Sequence, residues 1–512
     1  MGGVTSLDTV LAVDIGTSSI RAGLFDARGR EVSPPVREAY DLVVGPDGKA
    51  EAGALGLVDL AVRSIDAALR RLPEGCVIAA VGFSTFWHSL LGIDAHGAPT
   101  TEVMTWADTR SAASAADLRS RREFAVFHQT TGCPLHASFW PAKLHWLKTN
   151  HPRQARRTRH WVSAADFIFL HLFGRLSTSI SLASGTGLFE HHGQRWSEIA
   201  IESLGIDRAS LPEITAAPYS GLAACYAERW PSLSDVPWYP AIGDGACSNV
   251  GAGCTDDSRI AFMLGTSGSM RILWEGRESA VEDPALWLYR LDERRLAGGM
   301  ALAEGGNLVA WARRTLRLDG KPEEIELAIS AMAPDTHGLT VLPFLVGERS
   351  PAWREDRTAT IAGMTAATTP LHIQRAIMET VAVRFALLKE RLDRARPGSR
   401  RIVATGSALL RSPAWLSMIA DCLGQEIECS GVSEASLRGA AIVALERHGL
   451  VSSIGELDAP RGQLVSPRPE AYEAYQRMRV RHERLDHLDS REAPLPTAAG
   501  ALSGGDVTCG ET

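Results

Sequence analysis

The stretch Leu11-Ala-Val-Asp-Ile-Gly-Thr-Ser-Ser-Ile20 has a counterpart far downstream, Ile260-Ala-Phe-Met-Leu-Gly-Thr-Ser-Gly-Ser-Met270. Each opens with a compact apolar run suited to a buried strand. Each breaks at Gly-Thr-Ser and resumes as a second apolar run, Ile20 to Phe25 in one and Met270 to Trp274 in the other. The pattern reads as strand, tight polar turn, strand. Gly16 and Gly265 have no Cβ, so the backbone can bend there and approach a ligand closely. The amides and hydroxyls of Gly16, Thr17 and Ser18, and of Gly265 and Thr266, then point beyond the turn, where phosphate oxygens are natural acceptors. No Lys follows either turn and neither opens a helix, which excludes a Walker loop and a dinucleotide fingerprint. One such turn alone reads as an ordinary hairpin. Two matched copies, one with Asp14 in its strand, point to a duplicated phosphate clamp.

Around this pair the composition is that of a soluble globular chain, with 45% hydrophobic and 22% charged residues. A length of 512 residues exceeds one compact core, so two domains are expected. The net charge of -7 argues against a nucleic-acid partner. The eight cysteines form no Cys-x-x-Cys, and Cys247/Cys254 and Cys422/Cys429 are spaced too widely for zinc knuckles. Reduced thiols follow as the default. No signal peptide and no bilayer-spanning run are visible, so a cytoplasmic protein without a membrane partner is expected.

The chain order predicts α/β organisation with a mixed sheet. After the first hairpin, residues 37–44 read as a strand, 55–72 as a helix, and 77–83 and 89–93 as strands flanking a polar break. Residues 108–173 read as mostly helical, with the basic run 151–160 as a solvated face. A strand over 237–242 leads into Gly243-Asp-Gly245 and a small-residue helix over 246–253, and the domain boundary is placed there. The second half predicts strands at 286–291, 295–300, 401–405 and 426–429. Helices are predicted at 307–318, 322–332, 370–395, 413–423, 434–447 and 470–485. The expected division is an N-terminal domain over 1–242, a C-terminal domain over 243–490, and a disordered tail over 491–512, rich in Pro, Ala, Gly, Ser and Thr.

Four places carry chemistry. Asp14 lies in an apolar run, where an unpaired carboxylate is costly; it would hold magnesium, directly or through water, or bond nearby backbone amides. Asp244, between two glycines at a strand end, is either the carboxylate that steers an alcohol towards a phosphate or an N-cap for the helix behind it. Trp87-His88 and Trp106-Ala-Asp-Thr-Arg110 suit a polyol. Indole faces would pack on C–H groups, while His88, Asp108 and Arg110 would bond hydroxyls.

These residues resemble the FGGY family of carbohydrate kinases, over Leu11 to about Leu445. Ala359-Thr-Ile-Ala-Gly-Met364 with His372-Ile-Gln-Arg-Ala-Ile-Met-Glu379 is similar to the family's C-terminal signature. Lys143-Leu-His-Trp146-Leu-Lys-Thr-Asn150 is similar to the N-terminal one, with Trp140 where the family has a small residue or Pro. Pro343-Phe-Leu-Val-Gly-Glu-Arg-Ser-Pro351 is also family-like. The resemblance implies two actin-like (ribonuclease H-like) ATPase domains around a central cleft, binding ATP with Mg2+ and a small sugar. It implies Asp244 as catalytic base, Asp14 as the magnesium-associated carboxylate, and Thr17, Ser18, Gly265 and Thr266 as phosphate clamps. Gly306, Gly406, Ser407 and Ala408 fall where the family holds the nucleoside, with Ser407 at a position the family often gives to Gly. Trp87-His88 resembles the family's Met-His sugar contact. Thr131-Gly-Cys-Pro-Leu-His136 and Gly265-Thr-Ser-Gly-Ser-Met-Arg271 look most like gluconate kinases. A sugar acid needs a cation, which Arg110 or Arg271 would supply. The expected reaction is therefore gluconate phosphorylation at its terminal hydroxyl, with xylulose or another polyol as the alternative. A sugar-sensing or ATP-driven conformational protein of the same fold is the alternative of another class. Oligomeric state, including a homodimer, stays open.

Overall fold

Val10, Leu11, Ala12, Val13 and Ile15 have no exposed surface, because the first strand of the chain lies at the centre of a sheet covered on both faces. The structure, a computed structural model, describes residues 7–124, 126–276, 281–318 and 320–489, so the expected tail lies outside the described residues. Strand β1 (Leu7–Ile15) turns into β2 (Ser19–Asp26), with Ile15 opposite Ile20. β3 (Val36–Ala39) continues the antiparallel ladder. Helix α1 (Ala54–Leu69) then packs Leu57, Ala61, Ile65 and Ala68 into the core. β4 (Cys76–Thr85) and β5 (Ile242–Gly243) add parallel strands on the other side of β1, and α2 (Asp244–Gly251) leaves from the end of β5.

The predicted strand over 37–44 is split into β3 and a separate pair at Val43–Val44. Tyr40 leaves the ladder to brace the first turn: its hydroxyl donates to Gly16 O at 2.5 Å and its amide to Ser18 O at 3.1 Å. Between β4 and β5 the chain carries a mainly helical insertion with its own core of Leu90, Trp140, Leu144, Trp161 and Trp196.

The second half repeats the frame. β6 (Arg259–Leu264) and β7 (Gly268–Glu275) form the second hairpin, followed by β8 (Trp287–Arg290) and β9 (Arg295–Leu302). Helices α3 (Gly306–Thr315), α4 (Pro322–Ala331) and α5 (Pro370–Ala395) come next. β10 (Arg401–Thr405), α6 (Ser407–Leu410), α7 (Pro413–Leu423), β11 (Ile427–Ser430) and α8 (Ala435–His448) follow. An edge strand, β12 (Arg461–Val465), and α9 (Pro469–Asp489) complete it; β12 and a small pair at Thr340–Leu342 and Thr360–Ala362 were not anticipated. The first sheet runs β3-β2-β1-β4-β5, and the second contains β9-β7-β6-β10-β11 within its seven strands. In both, the hairpin pairs are antiparallel and the last three strands are parallel. One five-stranded plan has been used twice.

The helices that follow each plan, α2 and α8, cross at glycines. A Cβ on Gly251 would lie 1.8 Å from Ala435 O, and one on Gly439 would lie 1.8 Å from Cys247 O. α8 also buries Leu437, Ala440, Ala441 and Ala444 in the same core as β1 and β4, so a C-terminal helix covers the first sheet.

Candidate active site

The register of β5 on β4 pairs Gly243 with Thr85 and brings Asp244 beside the loop that follows β4. Asp244 is the first residue of α2 and Gly243 takes the N-cap position. The Trp87 indole lies directly on this turn. A Cβ on Gly243 would come within 1.9 Å of the ring and one on Gly245 within 2.6 Å, so only glycine fits at either place. Trp87 Nε1 donates to Ser181 O at 3.0 Å, which fixes the indole plane. Burial raises the Asp244 pKa to about 6, and the nearby Asp14 charge adds to the rise. Arg271 and the amide of Gly245, which donates to Oδ1 at 2.7 Å, offset part of it. A carboxylate poised near neutrality suits proton acceptance from an alcohol.

A cavity of about 130 Å3 opens in front of Asp244, lined by Trp87, His88, Trp106, Arg271, Arg349 and the turn residues Ser267 to Ser269. His88 adopts a left-handed backbone with φ 68. Its Nδ1 donates to Gly185 O at 2.6 Å, and burial pulls its pKa down to about 3. The ring is therefore neutral, and Nε2 is left as a hydrogen-bond acceptor.

Arg271 Nε donates to Asn249 Oδ1 at 3.0 Å and Nη1 to Ser269 Oγ at 2.7 Å, both neutral partners. Arg349 lies 5.6 Å from the Trp106 ring centre and 5.7 Å from that of Trp353, and its buried Nε has no partner. Burial lowers the pKa of both arginines. Arg349 went unassigned in the sequence, although the Gly-Glu-Arg-Ser-Pro segment that carries it was visible.

Asp108 and Arg110 do not line this cavity. Arg110 Nη2 pairs with Asp108 at 2.6 Å and with Glu51, while Ala50 N donates to Asp108 Oδ2 at 3.1 Å. The Arg110 guanidinium also covers the Trp146 ring at 4.7 Å. These charges satisfy one another and hold the Trp106 loop to the strand at Ala50–Ala52.

Asp14 is 2% exposed. Its Oδ2 accepts from Arg21 Nη1 at 3.1 Å and from Ser436 Oγ at 2.7 Å, while the buried Oδ1 has no partner. The first turn closes with Gly16 N donating to Ser19 O at 3.0 Å, and the second with Gly265 N donating to Ser267 O at 3.0 Å. Thr17 is half-buried, and Ser18 and Thr266 are exposed. Gly306 N donates to Gly265 O at 2.8 Å, tying the second turn to the start of α3. Behind it lies a cavity of about 660 Å3 lined by Gly306, Val309, Ala408 and Ser412. Gly406 and Ser407 precede Ala408 in the chain and are not among the residues that line it. Gly406 has φ +94, and a Cβ there would lie 2.5 Å from Leu264 O. The second turn thus stands between the larger cavity and the small one that contains Asp244. Among the described residues no cluster of three His, Cys, Asp or Glu could hold a metal by itself, and no helix is long and apolar enough to cross a membrane.

The N-terminal and C-terminal domain profiles of the FGGY family of carbohydrate kinases match residues 9–251 and 260–446. A gluconokinase of Bacillus subtilis (strain 168) is 27% identical over 457 residues, covering 87% of this chain and 88% of that protein. A gluconate kinase structure from Lactobacillus acidophilus is 25% identical and superposes with a TM-score of 0.86, covering 95% of this chain and 99% of that one. A xylulose kinase structure from Lactobacillus acidophilus is similar in fold, with a TM-score of 0.87, 24% identity and coverage of 95% and 99%.

Proposed function

The chain belongs to the FGGY family of carbohydrate kinases, and from that premise we propose that it transfers phosphate from ATP to the terminal hydroxyl of a sugar acid, gluconate first. The carrying observation is the charge balance of the small cavity. Two guanidiniums, the buried Arg271 and the half-buried Arg349 with its buried Nε, face it without a carboxylate ion pair, against one acid, Asp244. A buried cation without a counter-charge is costly, and a carboxylate ligand relieves that cost. A neutral ketose would not.

Asp244 accepts the proton of the terminal hydroxyl as its oxygen attacks the γ-phosphorus. The bond from that phosphorus to the bridging oxygen breaks, and ADP leaves. The turns at Gly16–Ser18 and Gly265–Ser267 present amides and hydroxyls to the phosphate oxygens, and Gly306 with Gly406 to Ala408 borders the nucleoside. The unpartnered, buried Oδ1 of Asp14 fits a magnesium ion held directly or through water, which would neutralise phosphate charge when bound.

Xylulose is the second reading, favoured by the fold similarity to a xylulose kinase. An ADP-release assay across gluconate, xylulose and glycerol tests the choice. Turnover on gluconate at least about tenfold above xylulose in kcat/KM is expected, a difference of about 1.4 kcal/mol. Turnover on xylulose with none on gluconate rejects the sugar-acid assignment.

A further inference from the structure

The helix Trp140–Asn150 carries Lys143, the lysine of the N-terminal signature segment, to which the reaction described above gives no task. Its side chain has no exposed surface. Nζ donates to His88 O at 2.8 Å, to Thr105 O at 2.8 Å and, at 3.5 Å, to Met104 O. All three partners are neutral carbonyls, and among the described residues no carboxylate lies within salt-bridge distance of it. One carbonyl belongs to the residue that takes the left-handed backbone beside Trp87, and another directly precedes Trp106. Strained backbone of this kind persists only where its surroundings hold it. The same helix reinforces the arrangement through Trp140, whose Nε1 donates to Ser89 O at 2.8 Å.

We infer that the buried ammonium of Lys143 is a positioning residue that fastens the two aromatic loops of the acceptor pocket to each other, so that its charge state sets affinity for the acceptor and not for the nucleotide. Three carbonyl partners match the three N–H groups of an ammonium, whereas a neutral amine has two N–H groups and a lone pair that repels a carbonyl. The charged groups around it are few. Asp108 favours the ammonium and Arg110 disfavours it, while the rings of His88 and His136 are held neutral by burial. Burial dominates and brings the Lys143 pKa down to about 7. The ammonium is therefore present below that pH and lost above it. The bond network loosens on the alkaline side, opposite to the acid side on which Asp244 loses its charge.

The test is the pH dependence of KM for acceptor and for ATP, measured from about pH 6 to about pH 9 on the full chain. Gluconate and xylulose are both run, so a failed sugar-acid reading leaves the result readable. In the parent protein acceptor KM rises about tenfold on crossing neutrality while KM for ATP stays level. Lys143→Met has the raised acceptor KM already at the acid end and shows no further rise, and Lys143→Arg, which keeps its charge, flattens the parent's alkaline rise. An acceptor KM that is level in the parent, or a parallel rise in both constants, overturns the inference. So does a parent-like pH profile in Lys143→Met. The parent profile alone decides the matter should the Met variant not fold.

Discussion

The two Gly-Thr-Ser turns share a backbone plan and differ in charge. In the first, Asp14 stands opposite Arg21 across the ladder, with four residues between Ile15 and Ile20. In the second, the residue two before the glycine is Met263, it stands opposite Ser269, and the loop is one residue shorter. Tyr40 braces the first turn from outside the sheet, whereas the amides of Gly306 and Asn307 brace the second. The first turn therefore couples a cradle of amides to a buried carboxylate, and the second couples one to a helix start and the cavity lined by Gly306 and Ala408. In the function proposed above, the two turns are two grips on a phosphate chain. Only the first has an acid two residues before its glycine, Asp14, where the second has Met263, and only the first would attend a metal ion in that proposal.

The largest expected effect is at Asp244, the proposed base: Asp244→Asn lowers the single-turnover rate by about 10³-fold, and a loss below about tenfold removes the base. Next is the asymmetry of the turns. Asp14→Asn lowers kcat/KM by about 10²-fold, while Met263→Leu at the matching position changes it less than about threefold. Equal losses would show that the turns are equivalent. The pH profile comes third. The pKa of Asp244 is raised to about 6, so it takes up a proton earlier than an ordinary aspartate as pH falls. Below that value kcat drops about tenfold per pH unit, and a profile level down to about pH 4 contradicts the assignment. The smallest effect belongs to the brace. Tyr40→Phe removes one hydrogen bond to Gly16 O, worth about 1 kcal/mol, and raises KM for ATP about fivefold without altering acceptor KM.

Much of the frame was legible because its signals are local. Both hairpins follow from an apolar run broken by Gly-Thr-Ser. The helix Pro370–Ala395 is bounded by an N-cap at Thr369, Pro at its start and Pro397 after its end, so its limits could be read directly. What failed needed distant partners. The strand over 37–44 broke because Tyr40 is drawn to a turn 24 residues away. Asp108 and Arg110 looked like ligands for hydroxyls, but Glu51, more than fifty residues earlier, completes their ion pairs and leaves them outside the cavity. Arg349 could not be assigned because it enters the pocket from the second half, over Trp106 of the first. The helix Ala435–His448 was visible as a helix. That it covers the first sheet was not, since the contact depends on Gly82, where a Cβ would lie 2.4 Å from Ala440 O.

A crystal structure with gluconate and a non-hydrolysable ATP analogue tests the central claim most directly. The account predicts the γ-phosphate between the turns at Gly16 and Gly265, and the terminal hydroxyl of the acceptor within hydrogen-bond reach of Asp244, about 2.6–3.2 Å. A triphosphate bound with either turn facing away from it, or an acceptor whose hydroxyls all lie beyond reach of Asp244, would contradict it.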